Sequence, residues 1–360
     1  MKKILLVDYP YPDGQAREQC LRVMGFDVQA FNVVRSRIWS GGNPAKKAVM
    51  PLLEALRPLH RFAAYIDRIK LNRELLRVAG EFRPGIVLMV KGDAIFPRVI
   101  SRLKQSGSPL LLCWDADSML TPGRPEAVLT KLGLYDLFFT VDSVELLPDD
   151  LRARMLERNR NIFTVPLAAN TLYYHPVPVS ERRAEFLSGS VVFIGTINPA
   201  RKEVLERVAD LGLKIWAPQK SPWGDWLKTG SLLEKTYQKG CVYGEELVQI
   251  YSTAGVVIDI HFLFTRPGVI PNVTLRVFEI PAAGGFVLTN FSPQLANLFK
   301  PDEEIVAYSS IDELREKTIF YRAHPRERKR IAENGRARVL HDHTFGHRLE
   351  TILRIANVKR

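Results

Sequence analysis

Arg276 and Glu279 stand three residues apart in the run Asn272-Val-Thr-Leu-Arg-Val-Phe-Glu-Ile-Pro-Ala-Ala-Gly-Gly-Phe-Val-Leu-Thr-Asn290. The spacing predicts that both side chains share one face of a helix. A guanidinium can hold a diphosphate through two parallel hydrogen bonds, and a carboxylate can accept the hydroxyl protons of a ribose. Gly284-Gly285 would end that helix and let backbone approach a ligand closely. The same residues also suit an ordinary i,i+3 ion pair with a glycine cap, and spacing alone leaves both readings open.

Other chemistry-bearing residues are less specific. His341, His343 and His347 lie close together, but no cysteine or carboxylate framework accompanies them, which favours capping and packing over a metal site. Cys20, Cys113 and Cys241 are far apart with no Cys-x-x-Cys pair, so neither zinc nor dithiol chemistry is indicated. No Gly-x-x-x-x-Gly-Lys-Ser/Thr occurs, which excludes a P-loop kinase.

The elements that must position these residues alternate. Apolar runs at 4–7, 26–31, 85–90, 110–114, 137–140 and 162–165 are bounded by Gly, Pro or Asp and predict strands covered on both faces, hence a parallel sheet. Helical segments between them supply the crossovers. A second set follows, with strands at 190–195, 214–217, 256–260, 286–289 and 305–308 and helices at 202–211, 245–251, 275–283, 293–299, 311–323, 325–340 and 344–358. The reading is an α/β protein of two Rossmann-like, doubly wound domains facing across a cleft. Residues 1–175 form the first domain, with a basic helical insertion at about 40–80. Residues 176–188 are a Pro-rich linker, 189–342 the second domain and 343–360 a C-terminal helix.

A length of 360 residues suits two domains. No apolar run reaches the ~18 residues of a membrane span. The opening Met-Lys-Lys-Ile-Leu-Leu-Val-Asp breaks off at Asp8 without a cleavage site, so it reads as a buried strand and the expected location is cytoplasmic. Net charge is +12, with 27 − 20 = +7 through residue 185 and 24 − 19 = +5 after it. Such charge permits phosphorylated substrates, an anionic membrane or nucleic acid. No nucleic-acid module is present, so nucleic acid is not expected as a partner. The stretch at 40–80, with Lys46, Lys47, Arg57, Arg61, Arg68, Lys70, Arg73 and Arg77 beside Leu52, Leu56, Phe62, Ile66 and Ile69, can rest on the inner face of an anionic membrane. It equally suits an ordinary surface helix pair.

The segment from Arg276 to Asn290 resembles the Arg-x-Phe-Glu-x-x-x-x-Gly-Gly signature of CgeB-like, spore-maturation-type glycosyltransferases. Phe193-Ile-Gly-Thr-Ile-Asn-Pro-Ala-Arg201, Glu303-Glu304 with Ile311-Asp-Glu-Leu314, Arg326-Glu-Arg328 through Gly335, and His343-Thr-Phe345 with Arg348 match further family motifs in order. Looser matches are Cys113-Trp-Asp-Ala-Asp117, Tyr135-Asp136 and Pro166-Leu-Ala-Ala-Asn170. The resemblance implies the GT-B fold, with the last helix crossing back to the first domain. It also implies transfer of a sugar from a nucleotide-diphosphate-sugar donor to a saccharide, protein or lipid-linked acceptor, in cell-surface polysaccharide or glycoprotein synthesis.

Carried over, Glu279 binds the donor ribose, Arg276 and Arg201 meet the diphosphate, and Gly195, Thr196, Gly284 and Gly285 give backbone access. Many retaining GT-B enzymes carry a second glutamate where this chain has Pro271, so the stereochemical course is not implied. Asp115-Ala-Asp117 imitates the metal-binding Asp-x-Asp of GT-A enzymes. The doubly wound pattern argues instead for protein cations, and no cofactor or divalent metal is expected. An inverting transfer needs a base; Asp13 is the first choice, with Asp93 and Asp117 as alternatives. Two rival functions remain at this level: a nucleotide-sugar epimerase or hydrolase, and a non-catalytic nucleotide-sugar-binding scaffold.

Overall fold

The computed structural model describes residues 2–33, 57–219, 226–227, 230–238, 240–261, 270 and 272–358. Two compact units result. Unit 1 comprises Met1–Val165 and Leu349–Arg360, and unit 2 comprises Pro166–Arg348. Each is a parallel α/β domain. The expected boundaries shift in two places: residues 166–175 cluster with unit 2 rather than the first domain, and the linker at 176–188 contains a helix, Glu181–Leu187. Residues from Leu349 onward, inside the last helix Phe345–Ile355, group with unit 1.

The six strands of unit 1 are β1 Lys3–Asp8, β2 Asp27–Asn32, β3 Ile86–Val90, β4 Leu110–Asp115, β5 Leu137–Thr140 and β6 Ile162–Thr164. Their order is β2-β1-β3-β4-β5-β6, with every pairing parallel. The chain runs from β1 to β2 on one side, then returns to place β3 on the other side of β1. Helices cover both faces, so the strand Ile-Val-Leu-Met-Val of β3 is buried at every position, the physical reason such strands lack apolar–polar alternation. Leu5, Val7, Val87, Met89, Leu111 and Phe138 lead one core layer. The helix Arg57–Phe82 spans part of the basic insertion; residues 34–56 of that expectation lie outside the described residues.

Unit 2 has β7 Val191–Ile194, β8 Leu213–Trp216, β9 Val256–Asp259, β10 Val287–Asn290 and β11 Val306–Tyr308, in the order β11-β10-β9-β7-β8, again all parallel. Its core lies in two layers, one led by Val192, Val257 and Phe278 and the other by Phe193, Ile258 and Leu288. Here the order reverses between β7 and β9. In open parallel sheets, loops leaving the strands at such a reversal splay apart and open a crevice at the carboxyl edge. Each unit therefore has its own crevice, beside β1 and β3 in unit 1 and beside β7 and β9 in unit 2. Among the described residues no helix is long and apolar enough to cross a membrane.

Candidate functional site

The crevice of unit 2 holds a cavity of about 340 Å3. Ile194, Gly195 and Thr196 reach it from the end of β7, and Trp216 and Pro218 from the end of β8. Val242, Tyr243 and Leu247 come from the entry to the helix Gly244–Thr253, and Leu275, Arg276 and Glu279 from the start of the helix Arg276–Ala282. Tyr174, Cys241 and Tyr251 complete the wall. The mixture of apolar walls with a few converging polar groups suits a small-molecule site.

Arg276 brings a positive charge to this cavity, opposite in sign to Glu279. Its Nη1 pairs at 3.4 Å with Oδ1 of Asp259, which closes β9 and is fully buried. Asp259 Oδ2 accepts from the hydroxyls of Thr274 at 2.7 Å and Thr289 at 3.0 Å. Burial opposes the Arg276 charge, but the Asp259 and Glu279 charges outweigh it and push its pKa up. Tyr251 is buried and held neutral: burial first, then the Glu279 charge, raises its pKa, while Arg276 works against them. The glycine at 195 is required by this packing. A Cβ there would lie 2.5 Å from a terminal nitrogen of Arg276, and the backbone sits at φ +148°.

Arg201 lies beside rather than on the wall. It sits in the first turn of the helix Pro199–Glu206, where Asn198 Oδ1 accepts from its backbone N–H at 2.8 Å. Its guanidinium donates to the carbonyls of Ile260 at 2.8 Å and Thr196 at 2.9 Å. Burial, then the neighbouring Arg276 charge, lowers its pKa to about 10. Arg201 thus clamps the loops after β7 and β9 and adds positive potential behind the cavity.

Gly284 and Gly285 depart from the expectation of donor access. Neither lines the cavity. Gly284, at φ +86°, terminates the helix with its N–H donating to Pro281 O at 2.8 Å. Gly285 permits close packing: a Cβ would lie 2.1 Å from the Tyr251 carbonyl oxygen. Arg276 takes Asp259 as an ion-pair partner, and the Glu279 charge also acts on it. Pro271 lies outside the described residues.

No sequence motif marks Asp259 or its neighbour His261; the available signal is a charged residue closing the apolar run Val-Val-Ile-Asp. His261 donates from Nε2 to Asn272 Oδ1 at 2.9 Å, because an amide oxygen can only accept, and its backbone N–H donates to Asn290 Oδ1 at 2.8 Å. Burial lowers its pKa to about 4, so the ring is neutral.

In unit 1, Asp13 is half-buried in the first turn of the helix Pro12–Val23, after β1. Asp93 and Asp117 follow β3 and β4, and both are ion-paired. Arg124 binds Asp93 at 3.1 Å, Asp117 at 3.6 Å and the fully buried Asp115, while Lys91 binds Asp117 at 2.9 Å. Burial pushes the Asp115 carboxyl up to about 7 against the lowering effect of Arg124. A second buried pair, Asp8 with Arg17 at 2.7 Å, anchors the end of β1. Among the described residues no group of three His, Cys, Asp or Glu is arranged to hold a metal ion. The three C-terminal histidines take separate partners: His341 with Asp342, His343 with the Leu298 carbonyl and His347 with the Thr344 hydroxyl.

Two doubly wound parallel domains, the second with an arginine–glutamate cavity at its strand reversal, define a GT-B architecture of the glycosyltransferase type. Residues 200–354 match the model of a glycosyl transferase-like family, and the chain is CgeB-like. It is 24% identical over 283 residues to the spore protein CgeB of Bacillus subtilis, covering 74% of this chain and 81% of that one. Among solved structures it is similar to a sucrose-phosphate synthase from Thermosynechococcus elongatus, with TM-score 0.65, 14% identity and 99% of each chain covered. It is likewise similar to Anabaena HepE in complex with UDP and glucose, with TM-score 0.64, 13% identity and 100% of each chain covered.

Proposed function

We propose that the protein transfers a sugar from a nucleotide-diphosphate-sugar donor, bound in the unit 2 cavity, to a saccharide, protein or lipid-linked acceptor. The observation that carries this reading is the convergence of Gly195, Thr196, Arg276 and Glu279 on one cavity at the β7–β9 reversal. Glu279 accepts from the ribose hydroxyls, and Arg276, held charged and aimed by Asp259, takes the diphosphate. As the bond from the sugar to the diphosphate breaks, negative charge grows on the leaving group, where a pre-positioned guanidinium stabilises it without reorganisation. This charge makes a divalent metal unnecessary, and the unit 1 aspartates at 93, 115 and 117 are already neutralised by Arg124 and Lys91. Asp13 is the residue we assign to take the proton of the acceptor hydroxyl, from its place in the first turn of the helix that follows β1. A cytoplasmic setting, with the basic stretch at 40–80 against the inner face of the membrane, accords with the net charge of +12.

The test is thermal stabilisation by UDP, GDP, dTDP, CMP and their sugar conjugates, for wild type and Glu279→Ala, with and without EDTA. A ligand at a hundred times its Kd stabilises by about 3 kcal/mol, a shift of roughly 5 °C or more for a unit of this size. A nucleotide-selective shift, insensitive to EDTA and reduced in the variant, supports the reading. No shift with any nucleotide refutes it, together with the nucleotide-sugar-binding scaffold.

A further inference from the structure

The crevice of unit 1 is built differently from that of unit 2, and its composition specifies a ligand. Tyr9 and Tyr11 follow β1, Lys91 follows β3 and Asp117 follows β4, all at the carboxyl edge beside the β1–β3 reversal. The rings of Tyr9 and Tyr11 lie nearly parallel, with interplanar angle 9° and centroids 6.2 Å apart. Tyr11 is 63% exposed, so a face-forming aromatic is displayed to solvent where the fold opens a crevice. The Lys91 ammonium stands 5.7 Å from the Tyr9 ring centre and 2.9 Å from Asp117. Asp117 in turn lies 3.6 Å from Arg124, which also binds Asp93.

We infer that this is a saccharide-binding shelf: a neutral pyranose lays the C–H face of its ring on Tyr11 and directs hydroxyls to the Lys91–Asp117 pair. The inference deepens the proposed transfer, on which it rests, by naming the acceptor class. Three features select a neutral sugar. A flat aromatic shelf matches the apolar face of a pyranose, while ring hydroxyls both donate and accept and so match an ammonium next to a carboxylate. Lys91 and Arg124 between them pair three carboxylates, Asp93, Asp115 and Asp117, so this cluster has no excess of positive charge for a phosphate-rich chain. Lys91 adopts a left-handed backbone at φ +68°, followed by Gly92 at the same φ, and Gly92 cannot carry a side chain because a Cβ would lie 2.7 Å from the Tyr135 hydroxyl. Lys131 donates to the carbonyls of Gly92 at 3.0 Å and Asp93 at 3.2 Å and so holds the loop that carries Lys91.

Saturation-transfer NMR on the full chain would use methyl glycosides of glucose, galactose, mannose and N-acetylglucosamine with their 1,4-linked disaccharides, in wild type, Tyr11→Ala, Tyr11→Phe and Asp117→Asn. Transfer to one face of the ring, about tenfold weaker with Tyr11→Ala and kept with Tyr11→Phe, is the expected result. Asp117→Asn should weaken transfer to hydroxyl-bearing positions while leaving the stack. No saccharide signal at millimolar concentration overturns the proposal, as does Tyr11→Ala binding like wild type. A Tyr11-dependent signal from a dT oligonucleotide with none from saccharides overturns it in favour of nucleobase stacking. The nucleotide panel in the same samples reports unit 2 separately, so a failed donor site and a failed shelf give different patterns.

Discussion

Placing one methyl group at position 195 is the sharpest probe of how the cavity works. In Gly195→Ala the new Cβ begins 2.5 Å from a terminal nitrogen of Arg276. Ordinary contact needs about 3.4 Å, so the guanidinium must retreat by roughly 1 Å. That nitrogen is the far end of a flexible side chain, so the clash is relieved by moving Arg276 rather than the sheet. The move breaks a placement that Asp259 holds at 3.4 Å. A charge-assisted hydrogen bond is worth about 1.5–3 kcal/mol, and donor affinity should fall by roughly 10- to 150-fold. The positive φ at this position adds a stability cost of about 1–3 kcal/mol. Calorimetric titration with the nucleotide that gives the largest thermal shift would measure Kd for wild type, Gly195→Ala, Arg276→Ala and the double variant. If the added methyl acts by displacing Arg276, it has little left to do once Arg276 is gone, and a coupling of about 1 kcal/mol or more is expected. Strictly additive losses, or unchanged affinity in Gly195→Ala, would refute the assignment of Arg276 to the donor.

Further outcomes follow from the same geometry. Asp259→Asn keeps the size of the side chain but removes the charge facing Arg276; donor affinity should drop about tenfold, and unchanged calorimetric Kd would show that Arg276 needs no such anchor. Gly285→Ala drives a Cβ to within 2.1 Å of the Tyr251 carbonyl oxygen and 2.9 Å of Ile280, so unit 2 should lose about 2 kcal/mol or more in chemical denaturation; a near-neutral result would contradict the described packing. Burial holds His261 and His343 at about 4, below their ordinary 6.5. The unfolded chain therefore takes up protons that folded unit 2 refuses, and its stability falls as pH drops from 6.5 towards 4, by up to ~3 kcal/mol per histidine. Asp115 and Asp142, raised by burial to about 7 and about 6, act with the opposite sign, so unit 1 gains relative stability as pH falls through that window. Hydrogen exchange at pH 7 and 5, corrected for intrinsic rates, should show protection falling in peptides around 256–261 while it holds in those around 110–115. Equal change in both units would refute the sign.

The sequence by itself determined the strands and the fold class, because a strand buried on both faces writes its burial into every residue. The runs at 110–114 and 137–140 and the helix at 311–323 appear nearly at their expected limits. Arg276, Glu279, Gly195 and Thr196 were also legible, and they meet on one cavity. Tertiary structure alone decided which charges are neutralised and which line the cavity. Arg276 pairs with Asp259, seventeen positions away, and Arg124 gathered carboxylates from the loops after β3 and β4. Gly284 and Gly285 carried the right motif yet serve as helix terminus and packing gap. Such roles depend on which strands the crossovers make adjacent, and the free energy of an ion pair depends on distance and burial that no local pattern encodes. The shelf of Tyr9, Tyr11, Lys91 and Asp117 is of the same kind: its members come from three separate loops, brought together only where the order of β1, β2 and β3 reverses.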